Sequence, residues 1–223
     1  MCFYVNVNIE KEKLKKNLPF VKKINSNLNG SSLTQNELSA FTFPELPILF
    51  FEQDDYVISD FKWGLIPEWV NPNDMNEFRK NTLNARIETI EEKKSFQNYS
   101  HQKGILMING FYEWQHIGKF KNKYYIHSSS QDLIYVAVIH NTYLFENEEI
   151  NTFSMITTKA NELMSEIHNT KKRMPLLLNK SFIQNWLNPK FSINDILIDV
   201  KSNLNNDIEA ELISKPMEQM SLF

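Results

Sequence analysis

Only one cysteine, Cys2, occurs in 223 residues. That scarcity excludes an internal disulfide and, by itself, a structural zinc site. No segment approaches the roughly 18 consecutive apolar residues that a membrane span requires. The stretch from Cys2 to Glu10 also lacks the basic start and apolar run of a secretory leader. The expectation is a soluble, cytoplasmic protein with no membrane partner, metal or cofactor. Internal repeats and low-complexity linkers are missing as well, which argues against a solenoid or a multidomain array. Nor is there a large net charge: the formal value is -3. Lysines nonetheless gather at Lys11 to Lys16, Lys22, Lys23, Lys119 to Lys123 and Lys171 to Arg173, while acidic residues gather at Glu52 to Asp55 and Glu146 to Glu149. Such segregation fits either a solvated surface or a local basic groove on an acidic protein.

What the chain does have is apolar content, 42% hydrophobic and 13% aromatic, enough to bury a full core in one domain. Short runs rich in β-branched and aromatic residues recur: CFYVNV at Cys2, LPILFF at Leu46, YVISDFKWGLI at Tyr56, GILMINGFYEW at Gly104, NKYYIHS at Asn122, LIYVAVIH at Leu133 and TFSMITT at Thr152. They read as strands. Helical spacing appears at Ile9 to Leu18, Ile90 to Gln102, Lys159 to His168 and Ser181 to Leu187, with Ser181 as an N-cap. The polar segment from Asn25 to Ala40 reads as a loop. The pattern predicts a single α+β domain over residues 1–215, with a mainly antiparallel, barrel-like core flanked by helices and a tail at 216–223.

The position of the lone thiol invites a chemical reading. If Met1 is removed, Cys2 presents an α-amine and a thiol on adjacent carbons, and an α-amine has an unperturbed pKa of about 7.7 to 8.0. Such a pair condenses with an aldehyde to an imine and then closes a thiazolidine ring. The same residue suits acyl transfer as an N-terminal nucleophile, or simply begins a strand as an inert side chain. In TLNARIET, an extended backbone puts Asn84, Arg86 and Glu88 on one face. Glu113, between Tyr112 and Trp114, is either a carboxyl whose pKa apolar walls raise, suited to proton transfer, or an exposed edge residue. His168 closes a helix ahead of a cationic run and could exchange protons or serve as a C-cap. Trp69, after Pro67, is a candidate for stacking on a base.

Taken together, Met1-Cys2, WGLIPEW at Trp63, LNARIET at Leu83, GFYEW at Gly110, MITTKANELMSEIH at Met155 and RMPLLL at Arg173 resemble the SRAP family (SOS response-associated peptidase), in order and spacing. The resemblance covers most of the chain. It implies a protein that senses abasic sites in single-stranded DNA and links to them covalently through the N-terminal cysteine, with peptidase activity understood as removal of Met1. By that resemblance Cys2, Asn84, Glu113 and His168 are catalytic. Arg86, Trp69, Thr157, Pro44, Trp114 and Arg173 contact DNA. The chain departs from the family in three places: Phe3-Tyr4 stand where glycine and arginine are usual, FTFPELPIL replaces an Asn-Ala-Pro loop, and four residues instead of one separate His168 from Arg173. The tail Gln219 to Phe223 resembles a peptide that binds the bacterial sliding clamp. Two other readings stand beside this one: an N-terminal-nucleophile amidohydrolase or peptidase, and a non-covalent single-strand binding module.

Overall fold

A computed structural model describes residues 2–25, 34–130 and 133–214; the tail at 216–223, with its clamp-binding resemblance, lies outside them. Among the described residues the strands are β1 (Tyr4–Asn8), β2 (Lys23–Ile24), β3 (Thr34–Ser39), β4 (Glu45–Glu52), β5 (Asp55–Trp63), β6 (Asn84–Arg86), β7 (Lys103–Ile108), β8 (Gly110–Ile117), β9 (Phe120–Ser128), β10 (Ile134–Phe145), β11 (Glu148–Lys159), β12 (Arg173–Pro175) and β13 (Ile208–Ser214). Five short helices accompany them: α1 (Lys11–Asn17), α2 (Met75–Arg79), α3 (Glu162–Ile167), α4 (Ile183–Trp186) and α5 (Leu197–Ser202).

One sheet runs β11-β10-β7-β4-β5 and returns to β11, which pairs in parallel with β5 at Thr152↔Lys62 and Phe153↔Trp63. That last pairing makes a five-stranded barrel. The other sheet, β13-β9-β8-β1-β3, is antiparallel throughout. This is the α+β, barrel-like architecture that the strand runs predict. A single apolar run, GILMINGFYEW, supplies a strand to each sheet. β7 is buried at every position, as a strand covered on both faces must be, and the chain passes through Asn109, whose N–H donates to the Asn6 carbonyl, into β8. Gly110 begins β8 under the Tyr125 ring. A Cβ there would sit 2.5 Å from the Ile126 carbonyl oxygen and 2.6 Å from the ring, so no larger residue fits.

The end of β5 is tied down by two side chains. Trp63 is fully buried, stacks on Phe153 at 5.7 Å and donates its indole N–H to the Leu83 carbonyl at 2.8 Å. It thereby fixes the chain immediately before Asn84. Gly64 follows at φ +103, and the buried Arg79 donates to the Trp63 and Gly64 carbonyls while its guanidinium covers the Phe43 ring at 4.3 Å. Burial lowers the Arg79 pKa to about 10, which leaves it charged at neutral pH. Trp63→Phe keeps most of the bulk but leaves the Leu83 carbonyl unpaired. The expected cost is about 1–3 kcal/mol, read as a fall in Tm of roughly 2–4 °C per kcal/mol for a chain of this length.

Several expectations need correction. Residues Ile90 to Gln102 form successive turns with a 3-10 segment at Gln97–Tyr99, not a helix. The reason is spacing: Ile90, Phe96 and Tyr99 are buried, but Glu91 to Lys94 offer nothing apolar for a helical stripe. Ser181 is not an N-cap; it lies inside the 3-10 turn Lys180–Phe182, whose cap position is Asn179. The segment expected as a loop from Asn25 to Ala40 contains β3, which pairs with β1. The extended run of TLNARIET stops at Arg86, and Ile87–Thr89 is a 3-10 turn, so Glu88 does not share the strand face of Asn84 and Arg86.

Candidate functional site

Cys2 is completely buried just ahead of β1. Its carbonyl accepts a hydrogen bond from Asn84 Nδ2 at 3.0 Å, and its Sγ lies 3.6 Å from the Tyr4 carbonyl oxygen. Phe3, the next residue, is fixed by its carbonyl, which accepts from the Ala40 N–H at 2.7 Å. Burial pushes the thiol pKa well above its ordinary value, and the nearby Glu113 carboxylate raises it further. The sulfur is therefore a neutral thiol at physiological pH. Asn84 stands on β6, which pairs in parallel with β11 at Met155↔Asn84. Its Oδ1 is buried and has no hydrogen-bond partner among the described residues.

Glu113 lies on β8, whose neighbour β1 carries Tyr4 opposite Tyr112. Glu113 is turned inward, where it is 7% exposed. Burial raises its carboxyl pKa, only partly offset by the chain's positive terminus and by the Trp114 N–H, which donates to Oε1 at 3.3 Å. The result is a carboxyl that keeps its proton to higher pH than a solvated glutamate does.

His168 is the C-cap of α3, its N–H donating to the Met164 carbonyl. The four residues between His168 and Arg173 form a turn in which Lys172 adopts φ +49 and donates its N–H to the His168 carbonyl. The Asn169 amide clips this turn to β8, exchanging hydrogen bonds with both backbone groups of His116. The chain thus returns so that the Arg173 carbonyl lies 2.7 Å from His168 Nδ1. A contact that short to a carbonyl places the proton on Nδ1 and leaves Nε2 as the basic nitrogen. Burial lowers the imidazole pKa, more than the Arg173 carbonyl restores it. Glu113 Oε2 is 3.9 Å from Nδ1, too long for a hydrogen bond, and with the ring neutral the contact is not an ion pair. Phe3, Tyr4, Glu113, Trp114, His116, Lys121, His168, Thr170 and Lys171 line a cleft of about 550 Å³.

The sequence profile of the family described as SOS response associated peptidase (SRAP) matches residues 1–220. The chain belongs to the SRAP family. It is 33% identical over 161 residues to the abasic site processing protein YoqW of Bacillus subtilis, covering 70% of this chain and 69% of that protein. With the abasic site processing protein YedK of Escherichia coli it shares 26% identity over 147 residues, covering 65% and 62%. A crystal structure of a Bacteroides thetaiotaomicron protein superposes with a TM-score of 0.85 at 35% identity, over 96% of this chain and 92% of that one.

Within this SRAP chain the remaining predicted residues fall into separate settings. Trp114 lines the cleft, with Tyr4 edge-on at 4.9 Å. Arg86 is exposed at the end of β6. Thr157 is buried on β11, its hydroxyl donating to the Ala85 carbonyl at 3.2 Å. Pro44 follows the left-handed Phe43 (φ +51), and its carbonyl accepts from the Trp63 N–H. Trp69 is 47% exposed, flanked by Phe78 and by the Lys94 ammonium at 4.7 Å, and is not among the residues lining the cleft. Arg173 is engaged within the protein: it forms a bidentate pair with Glu88 at 2.7 and 2.8 Å and donates to the Thr157 carbonyl at 2.8 Å. Burial favours the protonated form of Glu88, yet the Arg173 bonds outweigh it and hold the carboxyl below its ordinary pKa. The guanidinium is an anchor that keeps β12 and the His168 turn against β6 and β11.

Sequence reasoning missed two contributors. Arg79 lies in a stretch with no motif, and only its burial reveals it. His116 carried no signal and lines the cleft, its backbone held by Asn169. Lys121 and Lys171, from clusters that fitted either a solvated surface or a basic groove, line the cleft as well. Among the described residues, no three histidine, cysteine or acidic side chains converge as a metal site.

Proposed function

We propose that this protein processes abasic sites in DNA by forming a covalent link to the ring-opened sugar through Cys2, after Met1 has been removed. The observation that carries the reading is the placement of the buried Cys2 just ahead of β1, tethered by Asn84 and within the electrostatic reach of Glu113, whose carboxylate lies 3.9 Å from His168. The names of the relatives, abasic site processing proteins, agree with it.

The chemistry follows from the residues. The Cys2 amine, in its neutral form, adds to the aldehyde carbon of the sugar to give a carbinolamine. Protonated Glu113 donates to the departing hydroxyl, water leaves, and a protonated imine remains. The carboxylate so formed takes the proton of the Cys2 thiol as sulfur attacks the iminium carbon, so the five-membered thiazolidine closes with a neutral ring N–H and Glu113 regains its proton. One aldehyde and one aminothiol give one thiazolidine and one water. Asn84 Oδ1 accepts from the freed amine and aims its lone pair. His168, neutral and with its ring proton on Nδ1, accepts and returns protons on the sugar side. A single strand is the substrate of this reading, because an unpaired strand leaves the ring-opened sugar free to turn into the cleft. Removing the Asn84 amide costs about one hydrogen bond at the nucleophile, so Asn84→Ala is expected to slow adduct formation roughly tenfold, measured by quenched time courses.

The deciding experiment mixes Met1-processed protein with an oligonucleotide carrying one abasic site and resolves the products on a denaturing gel. A shifted band is expected. Protein that keeps Met1 has an amine without a thiol on the neighbouring carbon, and should give none that persists. DNA whose aldehyde has been reduced to the alcohol should give none at all. Equal binding of reduced and unreduced DNA with no persistent band would leave a non-covalent single-strand binder; turnover of amide substrates by Cys2 without a band would leave an amidohydrolase.

A further inference from the structure

We propose that Phe3 and Phe41 form the platform on which the nucleobase beside the abasic sugar stacks, an inference that rests on the abasic-DNA reading above. Phe41 is 51% exposed, although a phenylalanine so placed contributes little to the core. Its position is nonetheless fixed. It sits in the 3-10 turn Ala40–Thr42, where the Phe41 N–H donates to Ser39 Oγ, the Thr42 hydroxyl donates to the Ser39 carbonyl at 2.8 Å, and Ala40 N–H is bound to the Phe3 carbonyl. The Phe41 ring lies 4.9 Å from that of Phe3, tilted by 37°. Phe3 in turn lines the cleft and is the residue bonded to Cys2.

The cleft thus carries two chemistries. Phe3, Tyr4 and Trp114 are flat aromatic rings; Lys121 and Lys171 are cationic. A single strand offers the matching pair, bases with apolar faces and anionic phosphates. An abasic nucleotide has no base to stack, so the aromatic surface next to Cys2 is matched to its neighbour. The phosphates then face Lys121 and Lys171. Stacking of this kind discriminates lesions by the presence of an adjacent base and not by its identity.

The test uses full-length, Met1-processed protein and fluorescence anisotropy with oligonucleotides whose lesion is a tetrahydrofuran analogue, which cannot crosslink. The base 5′ or 3′ of the lesion is either adenine or a second tetrahydrofuran. Wild type is expected to lose roughly 5- to 100-fold in affinity when the base on one side is removed, the range of one base–aromatic contact. In Phe41→Ala that ratio should fall to near unity, and Phe41→Trp should restore it. If Phe41→Ala keeps the wild-type ratio, or if wild type is indifferent to both flanks while still crosslinking true abasic DNA, the platform is wrong and the crosslinking function stands. Failure of wild type to crosslink at all overturns the function and the platform with it. Recruitment of a second copy or of a peptide to Phe41 without any effect of flanking bases also overturns it.

Discussion

Cys2→Ala is expected to abolish the persistent DNA adduct. Alanine at the new N-terminus still has an amine and can form an imine, but the imine hydrolyses, because no second nucleophile closes on its carbon. Cys2→Ser separates the two steps. Its hydroxyl can close an oxazolidine, yet a hydroxyl is a poorer nucleophile than sulfur and a better-hydrated competitor, so the ring reopens. The adduct should therefore appear on a gel when trapped with borohydride in all three proteins, persist untrapped in wild type, decay over the run in Cys2→Ser and be absent in Cys2→Ala. Both substitutions are near in volume to cysteine at a buried position, so comparable Tm values show that chemistry and not folding is lost. Borohydride trapping of wild type but not of the alanine variant would contradict the assignment of the amine as first nucleophile.

The second large effect belongs to Glu113. Replacing it with glutamine removes the group that donates to the carbinolamine and accepts from the thiol; general acid–base catalysis of this kind is typically worth about 10²–10⁴-fold. The pH profile identifies it more specifically. Adduct formation in wild type should rise with pH as the Cys2 amine deprotonates and fall as Glu113 loses its proton. The raised carboxyl pKa moves that falling limb toward neutrality. In Glu113→Gln the falling limb should vanish. Stability moves the other way. A carboxyl whose pKa is raised on folding contributes stability that is complete below its unfolded value, about 4.3, and is lost as pH rises through the folded one. At neutral pH and above, Glu113→Gln should therefore melt higher than wild type, with the advantage gone in acid. A slower and less stable variant at pH 8 would mean that Glu113 is structural.

Much of this was legible in the chain. Short runs rich in β-branched and aromatic residues marked the strands, because such side chains fit a pleated, packed surface, and a lone cysteine beside Met1 pointed to aminothiol chemistry because residue type and position alone define it. Glu113 stood open between a carboxyl against apolar walls and an exposed edge residue, and only the packing of β8 decides for burial. What was not legible depended on partners distant in sequence. Glu88 was assigned to the face of Asn84 because local extension was assumed; the 3-10 turn that removes it is selected by its pairing with Arg173, 85 residues away. The helix expected at Ile90 to Gln102 does not form, because Ile90, Phe96 and Tyr99 are buried separately and Glu91 to Lys94 supply no apolar stripe between them.

The sequence by itself determined the chemistry available: one thiol, one amide, one carboxyl and one imidazole in recognisable settings, and strands enough for a barrel. Tertiary structure decided which of these groups meet and in what protonation state. Desolvation raises Glu113 and the Cys2 thiol and lowers His168, and the Arg173 carbonyl selects the His168 tautomer. Those quantities depend on what surrounds each atom in three dimensions, and a linear order of residues does not contain them.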